Sequence, residues 1–194
     1  MWQSNFSEQN AVVELRNKKS PDHKAFPQRE ELYQDAGKET YIHTVQISGL
    51  TPGGQYEYRI RTGKKATPWM PMAAFSGDSF KAMVFPDSQS SDYNVWKRTA
   101  DAAWQRNPDA TFFINMGDLV DNGQDASQWN AWFGVVQPFA EKIPAVTVMG
   151  NHETYTLDWK VRRPEANMQL FSLPDNGYSQ YPNRFYSYDV GDVH

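Results

Sequence analysis

The stretch 144-PAVTVMGNHE-153 begins as the interior of a protein and ends as something else. Its mostly apolar start gives way at Gly150 to Asn151, His152 and Glu153, an amide, an imidazole and a carboxylate at the end of a buried run. Two further stretches share this grammar: 80-FKAMVFPDSQ-89 ends its apolar run on Asp87, and 110-ATFFINMGDLVDNG-123 ends its own on Asp118. Between them lie two helical patterns. The segment 91–107 carries Val95, Trp96, Thr99, Ala100 and Ala103 at helical spacing behind a Ser91 or Asp92 cap. The segment 125–143 opens on a capping box, Asp125 to Gln128, and continues with Trp129, Trp132, Phe133 and Val136 until Pro138 kinks or ends it. Apolar strands alternating with amphipathic helices predict a parallel sheet covered on both faces.

In such sheets ligands sit beyond the carboxyl ends of the strands, where the connecting loops converge. Any one of the three polar tips reads equally well as a cap or turn. Together they deliver Asp87, Asp118 and Asn151 as hard oxygen donors, with the His152 imidazole, to one edge of the sheet. Such donors suit manganese, zinc or iron, and a pair of ions bridged by one carboxylate clamps an in-line displacement at phosphorus. Asp118, on the middle strand, is the natural bridge.

Upstream the periodicity changes to two. In 40-TYIHTVQI-47, Tyr41, His43, Val45 and Ile47 share one face; in 55-QYEYRI-60, Tyr56, Tyr58 and Ile60 oppose Glu57, Arg59 and Arg61; 10-NAVVELRNK-18 gives an earlier strand. Between the first two, 48-SGLTPGGQY-56 makes a tight turn that opens on Tyr56, similar to the tyrosine corner of fibronectin type III modules. The stretch 19-KSPDHKAFPQREE-31 reads as a surface loop that exposes His23, and His43 as a packed core histidine. The proline-bearing segment 65–79, with its Gly77-Asp78 turn, marks a junction. The expected domains are therefore 1–76 and 77–194. The tail predicts a short helix, a turn-rich loop and a strand over Arg184–Asp189.

Composition narrows the function classes. A net charge of −4 argues against general nucleic-acid affinity, which needs a basic face. No apolar run approaches the roughly 20 residues that span a bilayer. The absence of cysteine excludes disulfides and thiolate sites. Only four histidines, His23, His43, His152 and His194, are available as imidazole ligands.

The segments GDLVDNG and GNHE resemble the second and third signature motifs of the calcineurin-like metallophosphoesterases, with FPDSQ where their first should lie. The upstream module is similar to the amino-terminal domain of purple acid phosphatases. The implied fold is an incomplete fibronectin III-like β-sandwich followed by the N-terminal half of an α/β metallophosphoesterase domain, a fragment truncated at both ends. The resemblance implies an enzyme that hydrolyses phosphate monoesters with two metal ions, Fe, Mn or Zn. Asp87 would ligate the first metal, Asp118 would bridge, Asn151 would ligate the second, and His152 would stand beside the scissile phosphate. Two positions depart from the family: Asp121 stands where purple acid phosphatases have a tyrosinate, and Gln89 where other members have a histidine. Gln89 either coordinates through its amide oxygen or holds a water. Asp121 reads as a turn residue or a support behind the ligands, Arg162 and Arg163 as a solvated pair rather than a reach to substrate phosphate, and His194 as a structural or merely terminal residue.

The family's further histidines, from one isolated His and a Gly-His-x-His motif, are not in this sequence, so this piece alone is expected to bind metal weakly and turn over little. A competing reading, motivated by Gln89 and those histidines, is a non-catalytic binding or adhesion module with a degenerate phosphoesterase half. The resemblance also implies an extracytoplasmic location.

Overall fold

The computed structural model describes residues 1–74, 77, 79–181 and 184–194. The chain forms two compact units, 1–79 and 80–194. Phe75, Ser76 and Asp78, on which the expected boundary and its Gly-Asp turn fall, lie outside the described residues.

The first unit is built from β1 (Trp2–Ser4), β2 (Ala11–Asn17), β3 (His23–Pro27), β4 (Arg29–Asp35), β5 (Lys38–Thr44), β6 (Gln55–Thr62), β7 (Lys65–Ala66) and β8 (Met70–Ala73). One sheet has the order β1-β5-β4. The other runs β3-β2-β6-β7, with β8 also paired to β6, and every pairing is antiparallel. Ala11, Val13 and Leu15 are buried, and the alternate face of β2 carries Glu14, opposite Arg59. Arg59 and Arg61 both donate to the Glu14 carboxylate, Arg16 pairs with Glu57, and the Arg16 and Arg59 guanidiniums lie 4.1 and 4.5 Å from the centre of the Trp69 ring. The wet face of this sheet is thus a cross-strand ladder of charge and one aromatic ring.

Tyr56 closes its corner as expected: its hydroxyl accepts the Thr51 backbone N–H at 2.9 Å. His43 is fully buried, stacked on Trp2 at 4.7 Å and bonded to the Ser4 hydroxyl at 2.8 Å. The 19–31 segment is not a loop. It forms β3 and enters β4, whose residues are largely exposed, so no apolar alternation betrays edge strands that owe their order to ladder bonds with β2 and β5. His23 is exposed, as expected, at 3.7 Å from Glu14. Strand β5 ends at Thr44, so Val45 and Ile47 do not continue it.

The second unit holds a parallel sheet of β9 (Ala82–Phe85), β10 (Phe112–Asn115) and β11 (Ala145–Thr147), in the order β11-β10-β9. Helix α1 (Tyr93–Arg106) joins β9 to β10 and α2 (Ala126–Ala140) joins β10 to β11. Asp92 and Asp125 are their caps. Only half of the expected capping box forms: Gln128 accepts from the Asn122 N–H instead of reaching back to Asp125. Pro138 sits in the last turn of α2 rather than ending it, because Phe139 is buried against Phe113 and Trp104 at 4.9 and 5.8 Å.

The helices do not cover both faces. Each successive strand is added in the same direction, and right-handed crossovers then place α1 and α2 on one face. That face carries Phe85 against Trp96 and Phe113 against Phe139. The row Val84–Ile114–Val146 lies on the other, where Val84 is 52 % exposed and Phe112 meets Phe80 and Tyr188. Helix α3 (Glu165–Leu170) is the expected short helix, and Phe171 after it packs on Trp129 and Trp132 of α2. Residues 184–189 form no strand: this segment approaches β11 through a side chain, the Tyr186 hydroxyl donating to the Thr147 carbonyl at 2.6 Å, and not through a backbone ladder.

Candidate metal centre

All three strands of the parallel sheet run the same way, so their carboxyl ends release loops 86–92, 116–125 and 148–151 at one edge. Asp118 lies between the other two. Its backbone carbonyl accepts the Ser88 and Gln89 N–H groups, each at 3.0 Å, and its Oδ1 accepts the His152 N–H at 2.9 Å. This approach needs glycine. Gly117 adopts φ 92°, and a Cβ on Gly150 would fall 2.1 Å from Asp118 Oδ1, well inside contact distance. Asp118 itself adopts φ 48°, a left-handed conformation uncommon outside glycine.

Beneath the loops is a polar group to which the sequence assigned no role of its own. Glu153, 1 % exposed, opens its carboxylate to four backbone donors: Leu119 and Val120 on Oε1 at 2.8 and 3.3 Å, Asp118 and Gly150 on Oε2 at 3.0 and 2.7 Å. Burial pushes its carboxyl up from the usual range, while the Gly150, Val120 and Leu119 N–H groups pull it down. One side chain thereby clamps the second and third loops. The first is clamped by a buried trio: Ser88 donates to Asn115 Oδ1 at 2.9 Å, Asn115 Nδ2 donates to the Pro86 carbonyl at 2.7 Å, and Trp132 Nε1 donates to Ser88 at 3.0 Å. An asparagine inside the apolar run FFIN is the one signal in the sequence that could have pointed here.

The expected ligands are distributed as follows. Asp87 is exposed, one residue before the Ser88 N–H that bonds Asp118. Gln89 buries its Oε1 with no partner among the described residues. Asn151 donates its Nδ2 to the Tyr155 hydroxyl at 3.2 Å, leaving Oδ1 as the free end of the amide. Asp118 spends Oδ1 on His152, which leaves Oδ2 available. Among the described residues, no three His, Asp or Glu side chains come together closely enough to hold a metal ion. The candidate donor set is therefore two carboxylates and two amides. The unpartnered Gln89 oxygen fits a cation, because a buried acceptor without a donor is costly.

His152 is held from behind. Its Nδ1 lies 2.7 Å from the Asp121 carbonyl and 3.4 Å from the Asp121 carboxylate. A carbonyl only accepts, so Nδ1 carries the hydrogen and Nε2 is left for chemistry. Asp121 is accordingly a support for the imidazole. No tyrosine occupies position 121; the Tyr93 hydroxyl at the start of α1 is pushed far up by burial and by the Asp121, Asp125 and Glu153 charges, which keeps it protonated. Arg163 is exposed and lies 3.4 Å from Glu165, whereas Arg162 is half-buried. His194 pairs with Asp189 at 2.7 Å, both largely exposed.

Comparison with known proteins gives a consistent set of matches. Residues 80–193 match the family model described as calcineurin-like phosphoesterase, and residues 1–76 that of the purple acid phosphatase N-terminal domain. The chain is similar to purple acid phosphatase 23 of Arabidopsis thaliana, at 24 % identity over 84 % of this chain and 42 % of that protein. It is also similar to a protein named probable inactive purple acid phosphatase 1 from the same plant, at 28 % identity over 66 % of this chain and 23 % of that one. A solved purple acid phosphatase from yellow lupin (Lupinus luteus) seeds superimposes with a TM-score of 0.72 at 18 % identity, covering 91 % of this chain and 38 % of that one. The chain thus spans well under half the length of these relatives.

Proposed function

Because the chain belongs to the calcineurin-like phosphoesterase family, with the amino-terminal domain of purple acid phosphatases ahead of that fold, we propose that it hydrolyses phosphate monoesters at a two-metal centre. Asp87, Gln89, Asp118 and Asn151 would hold the ions, Fe, Mn or Zn, and His152 would serve the leaving group. The observation that carries this reading is the position of Asp118. It bonds both flanking loops through its backbone and Oδ1, and its Oδ2 remains free to bridge. Bound metal would supply Lewis acidity, activating water and neutralising the phosphate oxygens.

The residues of this chain do the rest. Asn151 and Gln89, on the loops after the two strands that flank β10, would offer amide oxygens. His152, its Nδ1–H fixed on the Asp121 carbonyl, presents Nε2 to the ester oxygen and donates a proton as the alcohol departs. The Asp121 carboxylate lies 3.4 Å from the same Nδ1 and keeps the ring turned this way. The same proposal takes residues 1–76 as the sandwich and 77–194 as the phosphoesterase half. An extracytoplasmic location belongs to the same proposal, supported by the sandwich module; among the described residues no helix is long and apolar enough to cross a membrane.

The test is metal analysis with a chromogenic phosphate-ester assay on the full-length protein. Asp118→Asn should abolish tight metal uptake and reduce turnover at least about a hundredfold. Retained activity in that variant sinks the assignment. A second reading, a binding module with a degenerate phosphoesterase half, is favoured by Gln89 and by the absence of a three-residue His, Asp or Glu cluster among the described residues. It predicts neither stoichiometric metal nor turnover in the unsubstituted protein.

A further inference from the structure

Immediately after His152 the chain makes a small hairpin that holds an indole in an unusual way. Tyr155 and Val161 form a bridge, Thr156 N–H bonds the Lys160 carbonyl at 2.8 Å, and Trp159 N–H bonds the Thr156 carbonyl at 2.9 Å. The hairpin is also tied to the Asp118 loop: Gln124 N–H donates to the Tyr155 carbonyl at 3.1 Å, and Leu157 N–H donates to Gln124 Oε1 at 2.9 Å. At its tip Trp159 adopts φ 61°, a left-handed conformation that a bulky side chain rarely takes. The residue is 56 % exposed. Folding gains little from an indole that is neither buried nor relaxed, and backbone strain of this kind clusters at functional sites.

The indole has a definite neighbour. Its ring centre is 6.5 Å from that of His152, with the two planes perpendicular, and 5.7 Å from that of Tyr155. Tyr155 in turn lies 5.2 Å from His152 and accepts the Asn151 amide. An aromatic wall therefore stands on the His152 side of the centre, where the alcohol half of an ester would lie if His152 protonates it. A flat ring stacks on such a wall, while an alkyl chain finds no matching face.

We infer that Trp159 is a specificity-determining residue that selects phosphate monoesters whose alcohol carries a flat aromatic ring, of the phenol or nucleoside kind. The inference rests on the phosphoesterase reading for where the ester sits. Trp159→Gly relieves the backbone and removes the ring, which separates the two roles of the position.

In the full-length protein loaded with metal, kcat/KM would be measured for phenyl phosphate, adenosine 5′-monophosphate and glycerol 2-phosphate. Trp159→Gly should lower the phenyl value about tenfold, the scale of one stacking contact, leave the glycerol value within about twofold, and keep or raise the melting temperature. Trp159→Phe should retain most of the aryl preference. The nucleotide arm tells which source of ring is preferred: a fall confined to phenyl phosphate assigns simple aryl esters, and a fall confined to the nucleotide assigns nucleosides. An equal fall on all three substrates overturns the inference, as does no fall on any. A melting temperature lowered by several degrees also overturns it, since the indole would then be packing rather than waiting for substrate. If the unsubstituted protein hydrolyses no ester, the phosphoesterase reading fails by itself. Calorimetric binding of phenylphosphonate against methylphosphonate then decides the wall: a preference lost in Trp159→Gly supports it, and equal affinities refute it.

Discussion

Among the described residues each unit buries one carboxylate, and the two are satisfied in opposite ways. In the sandwich Glu14, 3 % exposed, is held by the Arg61 and Arg59 guanidiniums, which keep its carboxyl below the usual range despite burial. In the α/β unit Glu153, 1 % exposed, takes its four donors from backbone N–H groups of two loops, and burial pushes its carboxyl up. A charge met by side chains from a neighbouring strand reinforces a ladder that the strands would form anyway. A charge met by loop amides fixes the loops themselves, which have no ladder of their own. The first arrangement is structural; the second sets the positions of Asp118 and Asn151.

This contrast can be tested from its strongest consequence down. Gly150→Ala places a methyl on Asp118 Oδ1 and must push the clamped loops apart, at a cost of about 3 kcal/mol. Amide exchange at Leu119 and Gly150 should accelerate accordingly, with metal affinity lost. Glu153→Gln sets an amide NH2 among four donors and should cost about 2 kcal/mol by leaving buried N–H groups unmet. Glu14→Gln should cost about 1 kcal/mol, because Arg59 and Arg61 are partly exposed and turn to water. Denaturant unfolding of the two variants side by side checks the order; a Glu14 loss larger than the Glu153 loss breaks the contrast.

The smallest effect concerns acid. Burial holds the His43 pKa below its ordinary 6.5, so the unfolded chain takes up a proton that the folded sandwich refuses, and stability falls as the pH drops below about 6.5. Glu14 adds to the same trend lower down. Its folded carboxyl lies below 4.5, so the stability it supplies is present above that pH and lost as the pH falls through the folded value. Protection of the β2 and β5 amides, taken relative to the intrinsic exchange rate at each pH, should fall as the pH drops below about 6.5, and His43→Gln should flatten that fall.

Much of this was legible in the letters. The runs before Asp87, Asp118 and Asn151 are apolar enough to be read as buried strands, and the Tyr56 corner needs only a turn and a phenol close in sequence. The 19–31 segment was not legible, because β3 and β4 are exposed edge strands whose order comes from partners distant in the chain. Glu153 was read as one more polar residue of an active-site edge; nothing local says that its carboxylate turns inward to amides 33 to 35 residues away. Asp121 was read only as a support or a turn, since what it supports, the His152 ring, is 31 residues off.

The sequence by itself determined the residue types at the three strand ends and the order in which strands and helices follow one another, because periodicity and turn chemistry act over a few residues. Only the tertiary structure decided that both helices lie on one face of the sheet, that Gly117 and Gly150 let two loops touch, and that Trp159 stands beside His152. Those outcomes depend on strand order and on contacts between distant segments, and no local window of the chain contains either.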